Sequence, residues 1–399
     1  MIRGRFLSKS IFAGLLFYSF FNPVPALRSA DKPKIITNPD RPLYGTLTFD
    51  LKKDLEINDE DVKTKEIYGF GHIVISSKGD IYASDSHLYR VNVFDNSGRF
   101  IMALGRKGQG PGEFNEIRSL AIDVKDNLYV SDAGFRLHVF DGNGKFVRMI
   151  TINGAANSGL FSFGVGTEGQ ILSEVQSYRR PSGLAGPVKI THSIDLLSED
   201  GQFQRSVATF ESETPGLLKT ERGYTQPNNF CDPTLRFKPI LPDVFVYGFS
   251  SEYVLYIVNS DGNPQKLIKL ERKPSALSKR EKDQIVENFR RASAKRTSVL
   301  ARINKEDFRF PRYKPLFRQI ISDDKGRMYV ERFLLPFETK TQSRFDVFDS
   351  MGRYIYDLTL PSNSPVLHNG RIYLRETDSE TGSTKLVRYI ITNWSQLKS

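Results

Sequence analysis

Four side chains that could bind an anion or exchange a proton recur at matching places in this sequence. Histidine titrates near neutral pH, and the arginine guanidinium pairs with carboxylate and phosphate groups. The turn signals of an internal repeat place all four near the start of the first strand of their repeats. The candidate ligand-binding residues are therefore His72, Arg118, Arg318 and His368.

The same residue types form no metal-binding or catalytic motif in the sequence. The 5 histidines are scattered without HxH or HxxxH spacing, so we expect no metal and no cofactor. The single cysteine, Cys231, cannot form an intramolecular disulfide, and we interpret it as a structural residue. No catalytic residue is identified, and the sequence favours a binding protein over an enzyme.

A glycine-rich basic loop, GRKGQGPGEF at residues 105–114, could suggest phosphate binding. It lacks the GxxxxGK[ST] order, and no helix pattern follows that would place a helix N-terminus behind the loop amides. We therefore interpret this loop as a connection between two repeats.

The candidate residues are positioned by a repeat of short strands between residues 72 and 150. Tyr82 and Tyr129 are one pair of landmarks, and Gly98 and Gly144 are another, with a period a little over forty residues. Apolar residues alternate along each segment, as in a strand with one buried face, and Gly, Asp and Asn mark the turns. This pattern is typical of β-propeller blades.

The two clearest repeats resemble the NHL-repeat family of six-bladed β-propellers, and in particular its exported bacterial branch. The resemblance is carried by DIYASD and RVNVFD in the first repeat, by NLYVSD and RLHVFD in the second, and by the loop between them. It implies a ligand site over the central channel, although most members of this branch lack an assigned activity.

The resemblance also opens an enzymatic alternative. Some six-bladed propellers are calcium-dependent lactonases, and some NHL-like propellers are lyases that use histidines and a metal. The Glu, Asn and Asp set of the lactonases is not found at the aligned inner positions of this chain. The alternative function is a hydrolase or lyase acting at the channel mouth. The repeated Asp85 and Asp132 predict caps on turn amides instead of catalysis.

Weaker copies of the repeat continue along the chain and predict six blades. The last copy supplies about three strands, so we predict that the strand Tyr44 to Leu51 completes it and closes the ring. The predicted fold class is all-β, a six-bladed β-propeller over residues 44–395 with one helical insertion between blades 4 and 5. The weaker copies are Phe161 to Phe210, Leu235 to Leu270, Leu316 to Leu360 and Pro365 to Trp394.

The insertion, residues 271–315, holds most of the net positive charge. Residues 271–318 carry 15 Lys and Arg against 6 Asp and Glu, in a chain whose net charge is +11. Ser278 and Glu281 form a capping box, which predicts a helix from Lys279 to about Arg296. We expect the helix to pack across the propeller. The candidate basic docking patch on it comprises Arg290, Arg291, Lys295 and Arg296.

The N-terminal residues 1–26 have the pattern of a cleavable signal peptide. Three basic residues precede the apolar run from Ile11 to Phe21, and Val24 to Ala26 offers a cleavage site. The run is short for a membrane span, and residues 27–43 are predicted to be extended. These features predict a periplasmic or secreted monomer without a membrane span in the mature chain. Its expected partner is a protein or carbohydrate ligand of the cell envelope, and export argues against nucleic acid.

Overall fold

A computed structural model describes most of the chain from residue 32 to residue 398. The residues outside the description are 1–31, 59–68, 134, 154–161, 180–187, 215–217, 221–222, 226–230, 295–309, 336, 339–341, 362–363, 378–382 and 399. The predicted signal peptide and the patch residues Lys295 and Arg296 therefore lie outside the described residues.

The described chain begins with three strands that join blades formed much later in the sequence. They are β1 (Lys34–Asn38), β2 (Thr46–Leu47) and β3 (Leu51–Asn58).

Blades 1 to 3 are antiparallel four-stranded sheets whose strands follow one another in sequence. Two small two-stranded sheets lie in the connections that follow blades 1 and 3. Blade 1 contains β4 (Ile73–Ile75), β5 (Ile81–Asp85), β6 (Arg90–Phe94) and β7 (Phe100–Leu104), and β8 (Arg106–Lys107) and β9 (Glu113–Phe114) follow it. Blade 2 contains β10 (Ile117–Ile122), β11 (Leu128–Asp132), β12 (Arg136–Phe140) and β13 (Phe146–Thr151). Blade 3 contains β14 (Ser162–Val165), β15 (Ile171–Arg179), β16 (Val188–Leu197) and β17 (Phe203–Thr214), and β18 (Leu218–Thr220) and β19 (Gly223–Thr225) follow it.

Blades 4 to 6 are built in the same way, but each also takes a strand from the N-terminal segment. Blade 4 contains β20 (Leu235–Leu241), β21 (Val244–Phe249), β22 (Val254–Asn259) and β23 (Pro264–Leu270). The helix α1 (Lys279–Ala294) follows, and then blade 5, with β24 (Phe317–Ser322), β25 (Met328–Arg332), β26 (Gln342–Phe348) and β27 (Tyr354–Pro361). Blade 6 contains β28 (Val366–His368), β29 (Arg371–Thr377) and β30 (Thr384–Ile391), and a 3₁₀ turn spans Trp394–Gln396.

The six sheets close into a ring, which confirms the predicted six-bladed β-propeller. The first strand of each blade contacts the first strand of the next, and β28 of blade 6 contacts β4 of blade 1. Six separate apolar clusters each join two neighbouring blades, and the sixth, with Phe94 and Leu386, joins blade 6 to blade 1. The core of the molecule therefore consists of the six interfaces between blades.

The closing strand is a correction to the sequence prediction. Strand β3, Leu51–Asn58, pairs antiparallel with β30 and supplies the fourth strand of blade 6. The predicted strand, Tyr44 to Leu51, instead contributes β2, which pairs parallel with β27 on blade 5. The true closing strand was missed because its sequence, LKKDLEIN, is strongly charged, as outer strands of a sheet often are.

The N-terminal segment also extends blade 4, because β1 pairs parallel with β23 along its outer edge. Asn38 fixes the segment between blades 4 and 5. Its amide donates to the Gly352 carbonyl at 2.9 Å, and its side-chain oxygen accepts from the Tyr354 backbone N–H at 2.9 Å.

The turns between the first and second strands alternate in residue type around the ring. Blades 1, 3 and 5 place glycine in the left-handed region of this turn, for example Gly79 with φ 88°. Blades 2, 4 and 6 place Asp126, Asp243 and Asn369 there, with φ of 61°, 57° and 48°. Asp and Asn tolerate this conformation better than other L residues.

The Asp and Asn turns join the blades in pairs. Asp126 of blade 2 accepts from the backbone N–H of Ser77 in blade 1 at 2.8 Å. Asp243 of blade 4 accepts from the backbone N–H of Thr167 in blade 3 at 2.7 Å. The backbone N–H of Asn369 in blade 6 donates to Asp324 in blade 5 at 2.8 Å. These bonds also place the first turns of neighbouring blades at the same end of the channel.

Candidate functional site

All the long connections of the propeller leave the blades at one end of the channel. In an antiparallel blade the chain enters the first strand and leaves the second at the same end, and the first turns lie at the other end. The connections between blades and those between second and third strands therefore share one face, which we call the loop face. The loop face carries α1, β8 and β9, and β18 and β19.

Three of the four predicted ligand-binding residues lie at the loop face. His72 directly precedes β4, while Arg118 and Arg318 are the second residues of β10 and β24. A β-bulge falls at both arginines, between Ile117 and Ser119 and between Phe317 and Gln319. A bulge re-aims the extra side chain and interrupts pairing. Blades 2 and 5 are opposite in a ring of six, so these arginines stand on opposite sides of the channel mouth.

His368 is not at the loop face, which corrects the prediction that grouped it with the other three. It is the last residue of β28 and pairs with Arg371 across the two-residue turn of blade 6. Its Nε2 lies 3.0 Å from the Asn369 side-chain nitrogen. The first strand of blade 6 has only three residues. The alignment of turns therefore placed His368 near the start of this strand, whereas it lies at the end.

Each mouth arginine lies near one glutamate and is partly exposed. Arg118 Nε lies 3.7 Å from Glu116, and Arg318 Nε lies 3.7 Å from Glu331. The side chain of Arg318 is 40% exposed and that of Arg118 27% exposed. Both guanidinium groups can therefore reach a ligand in the mouth.

Three further cations of the channel were missed in the sequence. Arg236 and Lys238 belong to β20, the inner strand of blade 4, and Arg375 belongs to β29 of blade 6. Arg236 donates through Nε to the carbonyl oxygen of Arg318, and Arg375 donates to the carbonyl oxygen of Phe70 at 3.2 Å. The sequence feature that could have revealed two of them is the segment Arg236-Phe237-Lys238, which places basic residues at alternate positions of an inner strand.

The electrostatics show that these side chains share the channel. Burial lowers the pKa of Lys238, although part of its surface stays accessible. Burial also lowers the pKa of His72, and the charges of Arg375 and Lys238 lower it further. Blade 1 and blade 4 are opposite, so the effect of Lys238 on His72 acts across the channel.

Two buried glutamates occupy equivalent positions on either side of blade 4. Glu174 and Glu331 are each the fourth residue of the second strand, in blades 3 and 5. Glu174 is 4% exposed and Glu331 is 0% exposed. Burial raises the pKa of Glu174 to about 7, against the opposing influence of Arg236 and Gln176. Burial also raises the pKa of Glu331.

Polar side chains surround both glutamates. Hydrogen bonds from Ser343 and Gln319 to Glu331 oppose the rise in its pKa. Nδ1 of His192 is buried and has no hydrogen-bond partner within the described part of the chain, and an unsatisfied polar group is costly in a protein interior. Burial, followed by the charge of Arg236, lowers the pKa of His192 to about 4.

The repeated aspartates have the structural role that the sequence predicts. Asp85 accepts from the backbone N–H groups of His87 and Leu88 at 3.1 Å each. Asp132 accepts from those of Asn115 and Glu116 at 3.1 Å each. Each carboxylate therefore caps a loop on the loop face. Over the described residues, no three His, Cys, Asp or Glu side chains form a group suited to a metal ion.

Helix α1 packs on the loop face as predicted. Ser278 Oγ accepts from the Glu281 backbone N–H at 3.2 Å, and Glu281 accepts from the Ser278 backbone N–H at 2.8 Å, which is the expected capping box. Leu277 and Ile285 are buried with Cys231 and Leu335. Burial raises the pKa of the Cys231 thiol to about 12, so this cysteine has little thiolate character.

The two described residues of the predicted docking patch lie near the end of α1. Arg291 is exposed and forms an ion pair with Glu287 at 2.9 Å. Arg290 is half-buried. No helix in the described residues is both long enough and apolar enough to cross a membrane.

Comparison with known proteins gives a fold and no activity. A family model described as a 6-bladed β-propeller matches residues 59–154. No curated protein matches the chain.

The chain is also similar to solved structures at low identity. A protein from Bacteroides fragilis described as exported aligns with a TM-score of 0.49 and 11% identity, covering 90% of this chain and 99% of the other. A member of the duf4221 family from Bacteroides vulgatus aligns with a TM-score of 0.48 and 11% identity, covering 86% and 97%. Virginiamycin B lyase from Staphylococcus aureus aligns with a TM-score of 0.41 and 11% identity, covering 85% and 99%.

Proposed function

We propose that this protein is an exported binding protein whose ligand, a protein or a glycan of the cell envelope, sits over the channel mouth on the loop face. The observation that carries the proposal is the pair of bulged arginines, Arg118 and Arg318. They stand on opposite sides of the mouth, and the side chain of each is partly exposed. Arginines arranged in this way are suited to anionic or hydroxylated ligands.

Export is proposed from the sequence of residues 1–26, with its basic start, apolar run and small residues before a cleavage site. The test is N-terminal sequencing of the protein recovered from cells. A mature chain beginning at residue 27 is expected, and a chain that retains its apolar run would contradict cleavage.

The loop-face site is tested by thermal melting of the purified protein against a panel of envelope glycans and peptides. A ligand that binds the folded state raises the melting temperature by mass action. We expect at least one compound to raise it, and we expect the Arg118→Ala, Arg318→Ala double variant to lose that response. Loss of two charge-assisted contacts at this site should weaken binding at least tenfold.

The matched control is His368→Ala, because His368 ends the inner strand at the opposite end of the channel. The control should keep the full ligand response. A response lost equally in both variants would place the binding site elsewhere. A panel without any response would contradict the proposed function.

A second candidate is a hydrolase or lyase at the channel mouth, favoured by the buried Glu174 with its pKa of about 7. A carboxylic acid poised near neutral pH can donate and accept a proton in catalysis. The first test is melting of the protein with EDTA and with calcium, followed by turnover assays on lactones and uronate glycans. A calcium-dependent rise in melting temperature or measurable turnover would support this candidate. If neither is observed, the enzyme is contradicted and the binding protein remains the proposed function.

A further inference from the structure

The glycine-rich basic loop between blades 1 and 2 is tied to blade 2 by hydrogen bonds. Asp132, the last residue of β11, accepts from two backbone N–H groups directly after the loop. Arg136 of β12 pairs with Asp132 across the two strands and donates to the carbonyl oxygen of Gln109 in the loop. His138, two residues further along β12, accepts from the backbone N–H of Gly112 at 3.1 Å. The closed conformation of the loop therefore depends on three polar side chains of blade 2.

His138 is held in one tautomer by its bond to the loop. Its side chain is 0% exposed, and its ring meets that of Phe114 edge to face, with 5.1 Å between centroids. Because Nδ1 accepts from Gly112, the neutral ring carries its proton on Nε2, which lies 3.8 Å from Asp132. A second proton would have to enter on Nδ1, toward which the N–H of Gly112 already points. Protonated His138 and Gly112 would then be two donors facing each other.

The groups around His138 oppose its protonation while the loop is closed. Burial lowers the pKa of His138, the charge of Arg136 lowers it further, and Asp132 acts in the other direction. The loop and β13 contribute only the aromatic rings of Phe114 and Phe146. The closed protein therefore binds this proton less readily than a protein whose loop has opened and admitted water to the ring. By linkage, falling pH favours the open loop.

The equivalent position in blade 1 does not titrate. Asn92 is the third residue of β6, as His138 is the third residue of β12, and both are 0% exposed. An amide side chain can accept a hydrogen bond, but it does not gain a proton between neutral and mildly acidic pH. A blade of this protein can therefore form without a histidine at this position.

We propose that the glycine-rich basic loop is an acid-sensitive closure, in which protonation of His138 removes the acceptor of the Gly112 N–H and releases the loop from blade 2. Release begins below about pH 6.5, the ordinary pKa of histidine. The loop leads into β10, whose second residue is the mouth residue Arg118, so its release also alters the rim of the channel mouth. The inference concerns the fold and does not depend on the proposed ligand.

The experiment is hydrogen exchange of the purified full chain from about pH 7.5 to about pH 5, with protection measured against unstructured peptide at the same pH. Protection of the loop should fall by up to about tenfold for each pH unit below 6.5, because opening allows one proton to bind. Strand β21 of blade 4 is the internal reference and should keep its protection. A loop equally protected at both ends of the pH range would overturn the proposal.

The decisive variant is His138→Asn, which keeps an acceptor for the Gly112 N–H and places in blade 2 the residue that blade 1 already has. Its loop should stay protected throughout the pH range. His138→Phe keeps a ring but removes the acceptor, so its loop should lose at least about tenfold of its protection at every pH. His87→Asn, at an exposed histidine of blade 1, is the matched control and should show the pH response of the parent.

The variants separate His138 from other groups that titrate in acid. Acid opening that persists in His138→Asn would assign the response to another group and overturn the proposal. A loop that stays protected in His138→Phe would show that the bond to Gly112 does not hold it closed. Nitrogen NMR of the histidine rings tests the geometry without any substitution. The form protonated on Nε2 is expected for His138 at neutral pH, and a ring protonated on Nδ1 would contradict the proposal.

Discussion

Glu174 and His192 lie on adjacent strands of blade 3, and their effects on stability oppose each other as pH changes. The pKa of Glu174 is raised to about 7 from 4.5, so its contribution makes the protein less stable as pH rises between those values. The pKa of His192 is lowered to about 4 from 6.5, so its contribution makes the protein less stable as pH falls between those values. The contributions of Glu174 and His192 to the pH dependence of stability therefore nearly cancel between pH 4.5 and 6.5.

Replacing Glu174 with glutamine should therefore stabilise the protein at high pH. The side chain is 4% exposed, and its pKa shift corresponds to about 3 kcal/mol above pH 7. We expect Glu174→Gln to be more stable than the parent by up to that amount at pH 8, with the difference vanishing near pH 4. Urea unfolding at several pH values measures the difference.

The control for this experiment is His192→Phe, which keeps a ring beside Phe249, now 5.4 Å away between centroids. Its stability relative to the parent should rise as pH falls from 6.5 to 4, the opposite trend to Glu174→Gln. If the stability of both variants relative to the parent followed the same trend with pH, burial would not shift the pKa values of Glu174 and His192 in opposite directions.

At the residue scale, the sequence predicted the arginines of the mouth better than the rest of the site. Turn signals fixed the starts of the inner strands of blades 1, 2 and 5, so His72, Arg118 and Arg318 lie at those strand starts as predicted, while their binding of a ligand stays a prediction. Lys238 was missed because a basic residue on a strand usually indicates a solvent-facing position. The buried glutamates were missed because burial depends on packing between blades, which no local pattern encodes.

Helix α1 is an element whose position on the propeller can be checked through one atom. Cys231 has 0% exposure and packs with Leu277 and Ile285 at the helix. The thiolate is the reactive form of cysteine, and burial raises the pKa of this thiol to about 12. A thiol reagent can therefore react with the sulfur only if this packing opens.

We expect Cys231 to be unreactive toward a thiol reagent in the native protein and reactive after Ile285→Ala. The substitution leaves a cavity in the small cluster and should cost about 2–4 kcal/mol of local stability. Arg291→Ala, on the exposed side of the same helix, is the control and should leave Cys231 protected. Equal reactivity in the two variants would show that the helix does not cover this residue.

Elements with strong local signals were predicted well, and elements defined by distant pairing were not. The capping box gave the helix start at Lys279, and turn glycines gave most hairpins. The closing strand was misplaced, because Tyr44 to Leu51 alternates more clearly than Leu51–Asn58. The parallel pairing of β1 with β23 has no sequence signal of its own, since it depends on where the segment meets the ring.

For the whole molecule, ring closure depends on β3. Arg388 of β30 donates to Asp54 of β3 at 2.9 Å, and Ile57 packs with Leu386 and Phe94 between blades 6 and 1. Without β3, the outer edge of β30 would be unpaired and the sixth interface would be incomplete.

A chain that begins at residue 48 should therefore remain a folded monomer, whereas one that begins at residue 59 should not. The first loses β1 and β2, which are fifth strands at the outer edges of blades 4 and 5, and leaves four strands in every blade, so its melting temperature should fall by only a few degrees. The second should melt without cooperativity or associate through β30. Calorimetry and light scattering compare the two, and similar behaviour would contradict closure by β3.

The bond between Arg388 and Asp54 joins residues 334 positions apart, which sets an order of events during folding. The strand that completes blade 6 is made early, but its partner is made among the last residues of the chain. Until then the strand has no place in a blade, and contacts this distant are slow to form. A growing chain would therefore carry five nearly finished sheets and an open seam until synthesis ends. The period before blade 6 is completed is therefore the time at which a chaperone could bind or another chain could pair wrongly with the open ring.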